Sequence, residues 1–348
     1  TATSAGLNTV NFNAGVIDAG AAGAGIEATS SGGGGITVTA LAGTSIDGSA
    51  FDGILAWATG ATNADIVITS AANIGSAGDP IANYGIFGWN QSAGTGDVTT
   101  TNTGTVFADW VGVFSQTDGS GDATVANSGA VTGNGWGLYS FSGSGTSTVT
   151  NSAAVTVVTQ DAVSSYVSSG AGASLVTNSA AVTSTNGSGI VAATNTGTNT
   201  VNNNAGGVIN AGLDGINAGS TSGNVIVTNA AAVTSTAADG IQTATGGAGT
   251  SSVTNSAAIT ANGAGGRGII TSTATGANTV TNNAGGVISA NNDGINALST
   301  SGNVIVTSAA AITSTGDDGI ETSTGGAGTS TVTVGANITA ADDGVVTA

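Results

Sequence analysis

The chain has 348 residues and a single cationic side chain, Arg267, against 19 Asp and Glu, for a net charge of −18. That balance excludes the basic patch nucleic-acid binding needs and disfavours anionic membrane surfaces. Cys, His and Met are absent, which excludes disulfides, thiol chemistry, His/Cys zinc sites and histidine-activated nucleophiles.

In chain order, the first periodic signal is an aliphatic residue that usually follows a glycine: Ile26, Ile54, Ile86, Val113, Leu138, Val163, Ile190, Ile216, Ile241, Ile269, Ile295, Ile320 and Val345. Successive anchors are 25 to 32 residues apart. Each interval holds two further aliphatic markers. One is the valine of a V-T-N-like stretch: Val125, Val149, Val176, Val201, Val227, Val253 and Val280. The other follows it: Val131, Val155, Val182, Val208, Val233, Ile259 and Val287. Each marker lies in a short β-branched run bounded by Gly, Asn, Ser and Asp, which reads as a strand between turns. The runs are too short and too glycine-rich for helices. The spacing predicts an all-β chain: one parallel β-helix or solenoid over residues 1–348, with three short strands per coil and about 13 coils. Parallel crossovers favour the right-handed form. A single coil cannot bury its own apolar face, so its neighbours must cover it.

Two segments stand out within this repeat. All 13 aromatic residues fall between Phe12 and Tyr166, most of them in coils spanning 51–166. Residues 198–260 and 277–339 align at an offset of 79, so 198–339 contains a duplicated three-coil block. Gly-Asn-Val-Ile-Val-Thr occurs at 223–228 and again at 302–307.

Three columns of equivalent residues are candidates for function. Two positions after the V-T-N valine stand Asn127, Asn151, Asn178, Asn203, Asn229, Asn255 and Asn282. Stacked amides can donate to one neighbour and accept from the other, which makes this a structural ladder. Two positions before the anchor stand Asp52, Asp161, Asp214, Asp239, Asp293, Asp318 and Asp343, with Arg267 in the same column. Asp-Gly is a turn signal, but carboxylates stacked at the coil spacing repel one another. Arg267 is expected to neutralise its neighbours Asp239 and Asp293. Calcium bridging is the one cofactor the column suggests; no other cofactor or metal is expected. The third column is aromatic: Trp57, Phe87, Trp89, Phe114, Tyr139, Phe141 and Tyr166 lie one or three residues after the anchor. In an extended strand those positions face away from it. They are expected to form an outward stripe that contacts a glycan or packs laterally on another molecule, flanked by Asp109, Asp118 and Asp161.

No catalytic constellation emerges, and the chain is not expected to be an enzyme. Two-carboxylate glycoside chemistry needs no histidine, but the candidate pairs, Asp317 with Asp318 and Asp342 with Asp343, are adjacent in turn-like sequence. The phrases Thr-Asn-Thr-Gly-Thr-Val (101–106), Ala-Asn-Ser-Gly-Ala-Val-Thr (126–132) and Gly-Thr-Ser-Thr-Val-Thr-Asn-Ser (145–152) resemble the β-helical passenger domains of bacterial autotransporters, surface adhesins of Gram-negative bacteria. The resemblance is one of repeat style over nearly the whole chain, and no membrane barrel follows within it. It implies secretion, display at the cell surface, and adhesive or biofilm roles.

Three readings of function follow. The first is an extracellular structural subunit that joins head to tail into a filament or matrix fibre. The step from Val345 of one copy to Val10 of the next, 13 residues, is close to the internal steps of 12 from Ile320 to Val332 and from Ile241 to Val253. The second is a surface adhesin that binds glycans or host surfaces through the aromatic stripe. The third is ice binding through Thr-x-Thr rows such as Thr183/Thr185, Thr234/Thr236 and Thr313/Thr315. Neither nucleic acid nor direct membrane insertion is expected among the partners.

Overall fold

The computed structural model describes residues 6–20, 23–48, 51–60, 64–91 and 93–348. Among the described residues every regular element is a β-strand. The strands form three parallel sheets of thirteen, each coil contributing one strand to each sheet. The fold is therefore a β-solenoid of about thirteen turns with three strands per coil. The first coils show the pattern: Asn8–Phe12 and Ile36–Ala40 belong to the first sheet, Val16–Ile17 and Ser45–Ile46 to the second, Ala24–Ser30 and Asp52–Ala58 to the third.

Alternation explains which residues face inward. In Ile36–Ala40, Ile36, Val38 and Ala40 are buried and Thr37 and Thr39 face out, as a period of two requires. Equivalent residues stack in register: Val125 pairs with Thr100 on one side and Val149 on the other. The anchors from Ile54 to Ile320 are fully buried, and each contributes roughly 1.5–3 kcal/mol by leaving water. At the corner before the third sheet two consecutive residues lie against the interior. The glycine before the anchor leaves no room there for a side chain: a Cβ on Gly240 would meet Ile259 Cγ2 and the carbonyl oxygen of Gly268.

One set of sequence markers needs correction. Val208 and Val287 are exposed, at 39% and 49%. The inward positions belong to Ile209 and Ile288, which pair with Val182 and Ile259 respectively. Both coils carry an Asn-Ala-Gly-Gly turn that closes on itself, with Gly207 N–H donating to Asn204 O and Gly286 N–H to Asn283 O, each at 2.8 Å. The inward residue comes eight positions after the first-sheet valine in these coils (Val201 to Ile209, Val280 to Ile288) and six in others (Val176 to Val182, Val253 to Ile259), so the turn takes up two extra residues.

The chain falls into two compact units, Thr1–Leu175 and Val176–Ala348. The first holds every aromatic residue and the second holds the duplicated block. In the first unit the third-sheet strands Tyr84–Asn90, Val111–Thr117 and Trp136–Ser142 are seven residues long. In the second unit those of the duplicated block, such as Ile216–Ser220 and Ile295–Ser299, are five residues long.

Candidate functional site

The asparagines form a buried relay within each unit. In the first, Asn102 Nδ2 donates to Asn127 Oδ1 and Asn127 Nδ2 to Asn151 Oδ1, both at 2.9 Å. In the second, the relay runs from Asn178 through Asn203, Asn229 and Asn255 to Asn282, with donor–acceptor distances of 2.7–2.9 Å. It ends where Asn282 Nδ2 donates to Ser308 Oγ at 3.0 Å. Every rung is buried, so the amides rely on one another and on nearby carbonyls such as Gly104 O, Ala180 O and Ala257 O; Asn102 Oδ1, at the first rung, has no partner. The structure adds Asn102, which the sequence pattern missed because Thr100 stands in its coil where the others have valine.

The acidic column is a second backbone-binding ladder. Asp214 Oδ1 accepts the N–H of Asp239 at 3.1 Å, Asp239 Oδ1 that of Arg267 at 2.8 Å, and Asp318 Oδ1 that of Asp343 at 3.0 Å. Asp52 does the same for Tyr84 and also accepts from Asn83 Nδ2. An aspartate here thus caps the equivalent backbone group of the next coil. Arg267 returns its side chain to Asp239, with Nε 3.2 Å from Oδ1 and a terminal nitrogen 3.3 Å from Oδ2. Among the described residues no ion pair joins it to Asp293, so it neutralises one expected neighbour rather than both.

Burial is the largest influence on Asp52, Asp214 and Glu321, and it pushes their carboxyls above the ordinary values of 3.8 for Asp and 4.5 for Glu. Asp293 and Asp318 push Glu321 further up by repulsion. A raised folded-state pKa means that the folded chain holds these protons more tightly than the unfolded chain. Their contribution is then fully present below the unfolded values and is lost as pH rises through the folded ones. The urea midpoint is therefore expected to increase as pH is lowered from neutrality towards about 4. A midpoint that falls steadily over that interval would contradict this placement of the carboxylates.

All seven residues of the aromatic stripe lie on the third sheet, on its outer face. They do not project singly. Phe87, Val111 and Phe114 form a buried cluster, against which Leu55, Tyr84, Trp89, Trp136, Tyr139 and Phe141 pack. Trp57 and Trp89 stack with centroids 5.5 Å apart and planes 4° from parallel. Phe87 stacks on Phe114 at 4.8 Å, and Phe114 on Tyr139 at 4.5 Å. Tyr166 meets Tyr139 edge to face at 5.5 Å. Parallel rings this close must lie face against face, each pair contributing about 0.5–1.5 kcal/mol beyond the area buried. The faces that a sugar ring would stack on are largely occupied by neighbouring rings. Polar contacts finish the edge: Trp89 Nε1 donates to Asp118 Oδ2 at 3.2 Å, Gln116 Nε2 to Asp118 Oδ1 at 2.7 Å, and Trp57 Nε1 to Gln91 Oε1 at 3.2 Å. Burial, with Asp161 adding repulsion, pushes the phenols of Tyr139 and Tyr166 up. Sequence spacing missed Tyr84 and Trp136 as members, because they occupy the column that holds aspartate in other coils.

Two surface concavities are shallow and open. One is lined by Phe107, Asp109 and Asn134, another by Thr183, Thr185, Thr234 and Thr236. In the second, Asn210 stands between Thr183 and Thr234, so the threonine row is interrupted rather than continuous. The chain matches no family model, no curated protein and no solved structure.

Proposed function

We propose that this chain is a structural β-solenoid of a cell surface or extracellular matrix, whose copies associate coil on coil. One observation carries the reading: the Asn, Asp and aromatic columns are spent on the equivalent residues of neighbouring coils rather than gathered around a cavity. Such a chain is built for persistence. The parallel backbone ladder that joins one coil to the next is also the contact by which a second copy would extend it, a heterologous, non-closing association. The extracellular placement rests on the resemblance of repeat phrases such as 145–152 to autotransporter passengers.

Electron microscopy of the full chain over a concentration series, paired with immunogold labelling of cells that produce it, tests this function. The expected result is unbranched fibres that increase with concentration, and label at the envelope or in shed matrix. Isolated particles at every concentration with label confined to the cytosol would overturn it. Isolated particles with surface label would favour the second reading, an adhesin. For that reading the half-buried Trp57, Trp89, Phe141 and Tyr166 supply the contact edge, and Trp57→Ala with Trp89→Ala should then abolish binding to glycan-bearing surfaces.

A further inference from the structure

The longest step between anchors, 32 residues from Ile54 to Ile86, contains an excursion that the next coil lacks. Ile74 pairs with Val106, and Ile81 pairs with Ala108. Those residues stand seven positions apart in one coil and two in the other, so five residues are inserted opposite Phe107. The excursion is braced at each end. Gly75 turns the chain at a φ of 64°, a conformation that favours glycine. Ser76 and Asp79 exchange backbone hydrogen bonds at 2.9 and 3.2 Å. Pro80, the only proline of the chain, restricts the backbone where it returns, and Ile81 N–H donates to Phe107 O at 3.0 Å. Asp79 also rests on the preceding coil, where Gly48 has no room for a Cβ beside the Asp79 carbonyl.

Phe107 is the outward residue of Val106–Ala108. The two coils that follow carry threonine in its column, Thr132 and then Thr156. An aromatic ring thus replaces threonine beside the insertion, and ring and excursion together wall an open concavity of about 260 Å³. Its lining is of two kinds. Phe107, Ala77 and Pro80 are apolar, whereas Asp109, Thr132 and Asn134 bring a carboxylate, a hydroxyl and an amide. Among the described residues no protein group hydrogen-bonds those three side chains, and no ring lies on Phe107. The concavity differs in this from the aromatic stripe, whose rings cover one another.

We propose that this concavity binds one pyranose ring of a neutral glycan. A pyranose has an apolar face of C–H groups and a rim of hydroxyls. The negative face of the Phe107 ring attracts the first, and Asp109, Thr132 and Asn134 exchange water for the second. A wholly apolar ligand would desolvate the Asp109 carboxylate without giving it a donor. An acidic sugar would meet that carboxylate on a chain of net charge −18. The volume, below the roughly 300–1,000 Å³ of pockets for drug-sized ligands, suits a single ring, and the open side lets a glycan continue into solvent. The site lies on the flank of the coils, so it stands apart from the coil-on-coil association proposed above.

Saturation-transfer NMR of the full chain with the methyl glycosides of glucose, galactose and mannose, and with glucuronate, tests the site. The expected result is transfer to at least one neutral glycoside, with a Kd of about 10⁻³ M for one ring on an open surface. Glucuronate should bind about tenfold more weakly or not at all. Phe107→Thr restores the residue of the next coils; it should melt with the parent yet bind about tenfold more weakly. Asp109→Ala should weaken binding to a similar extent, whereas Trp57→Ala with Trp89→Ala should leave it unchanged. The proposal fails if none of the three glycosides receives saturation, if glucuronate binds as tightly as they do, if Phe107→Thr and Asp109→Ala both bind as the parent does, or if the tryptophan variant alone loses binding.

Discussion

Replacing Asn229 by alanine is expected to lower the free energy of unfolding by about 3–5 kcal/mol. Asn229 is fully buried; it accepts from Asn203 Nδ2 at 2.7 Å and donates to Asn255 Oδ1 at 2.8 Å. Alanine removes both bonds and strands a donor above and an acceptor below where water does not reach. The cost is that of unsatisfied buried groups, about 1–3 kcal/mol each, rather than the smaller net worth of a hydrogen bond. The chain supplies its own control. Serine occupies this register position at Ser70, opposite Asn102, and at Ser308, opposite Asn282. Ser308 keeps the relay going by accepting from Asn282. Asn229→Ser is therefore expected to cost roughly half as much as alanine. Urea denaturation measures the totals. Amide exchange at Ala230, whose N–H donates to Asn203 O at 2.7 Å, reports whether the loss is local to the relay. An alanine variant within about 1 kcal/mol of the parent would mean that the amides carry no structural load.

This relay is also the most legible feature of the sequence, and the reason is geometric. Strand side chains alternate strictly, so a column read at fixed distance from a buried valine stays a column after folding. The same logic places the anchors, and through them the three parallel sheets. It fails where a turn changes length. Val208 and Val287 are the first aliphatic residues after the Asn-Ala-Gly-Gly segments and so read as the inward markers, but the turns absorb two residues and bury Ile209 and Ile288 instead. Spacing is also silent on direction within a column. The aromatic positions put seven rings on one outer face, yet spacing does not tell whether a ring presents its face to solvent or to the ring in the next coil. That choice is made by coil separation: rings one coil apart are close enough to stack, as Phe114 does on both Phe87 and Tyr139. The acidic column shows the same limit. Its repulsion is evident from the sequence, whereas the backbone N–H that each carboxylate caps becomes visible only in the register.

A methyl group added at Gly240 is expected to cost about 3 kcal/mol or more, although the substitution is among the smallest available. The obstacle is space, not backbone conformation, since Gly240 is not among the positive-φ glycines. Gly240 and Ile241 both lie against the interior where the coil enters its third strand. A Cβ on Gly240 would come within 2.6 Å of Gly268 O and closer still to Ile259 Cγ2. The first contact is with backbone that also accepts the N–H of Ile241 at 3.0 Å, so relief of the clash requires parting two coils. Gly215, Gly268, Gly294 and Gly319 face the same pair of obstacles, a β-branched methyl and the next glycine's carbonyl. A register that repeats this contact coil after coil has little freedom to yield at one of them. Gly265→Ala is the matched control: no heavy atom lies within 4 Å of the place its methyl would take, and the loss of unfolded-chain freedom should leave it neutral or more stable by about 0.4–1 kcal/mol. Paired urea denaturation of the two variants separates the cases. Equal stabilities would show that the corner has slack, whereas a selective loss at Gly240 would identify this close approach as what fixes the spacing of the coils, and with it the stacking distance on which the amide, carboxylate and aromatic ladders depend.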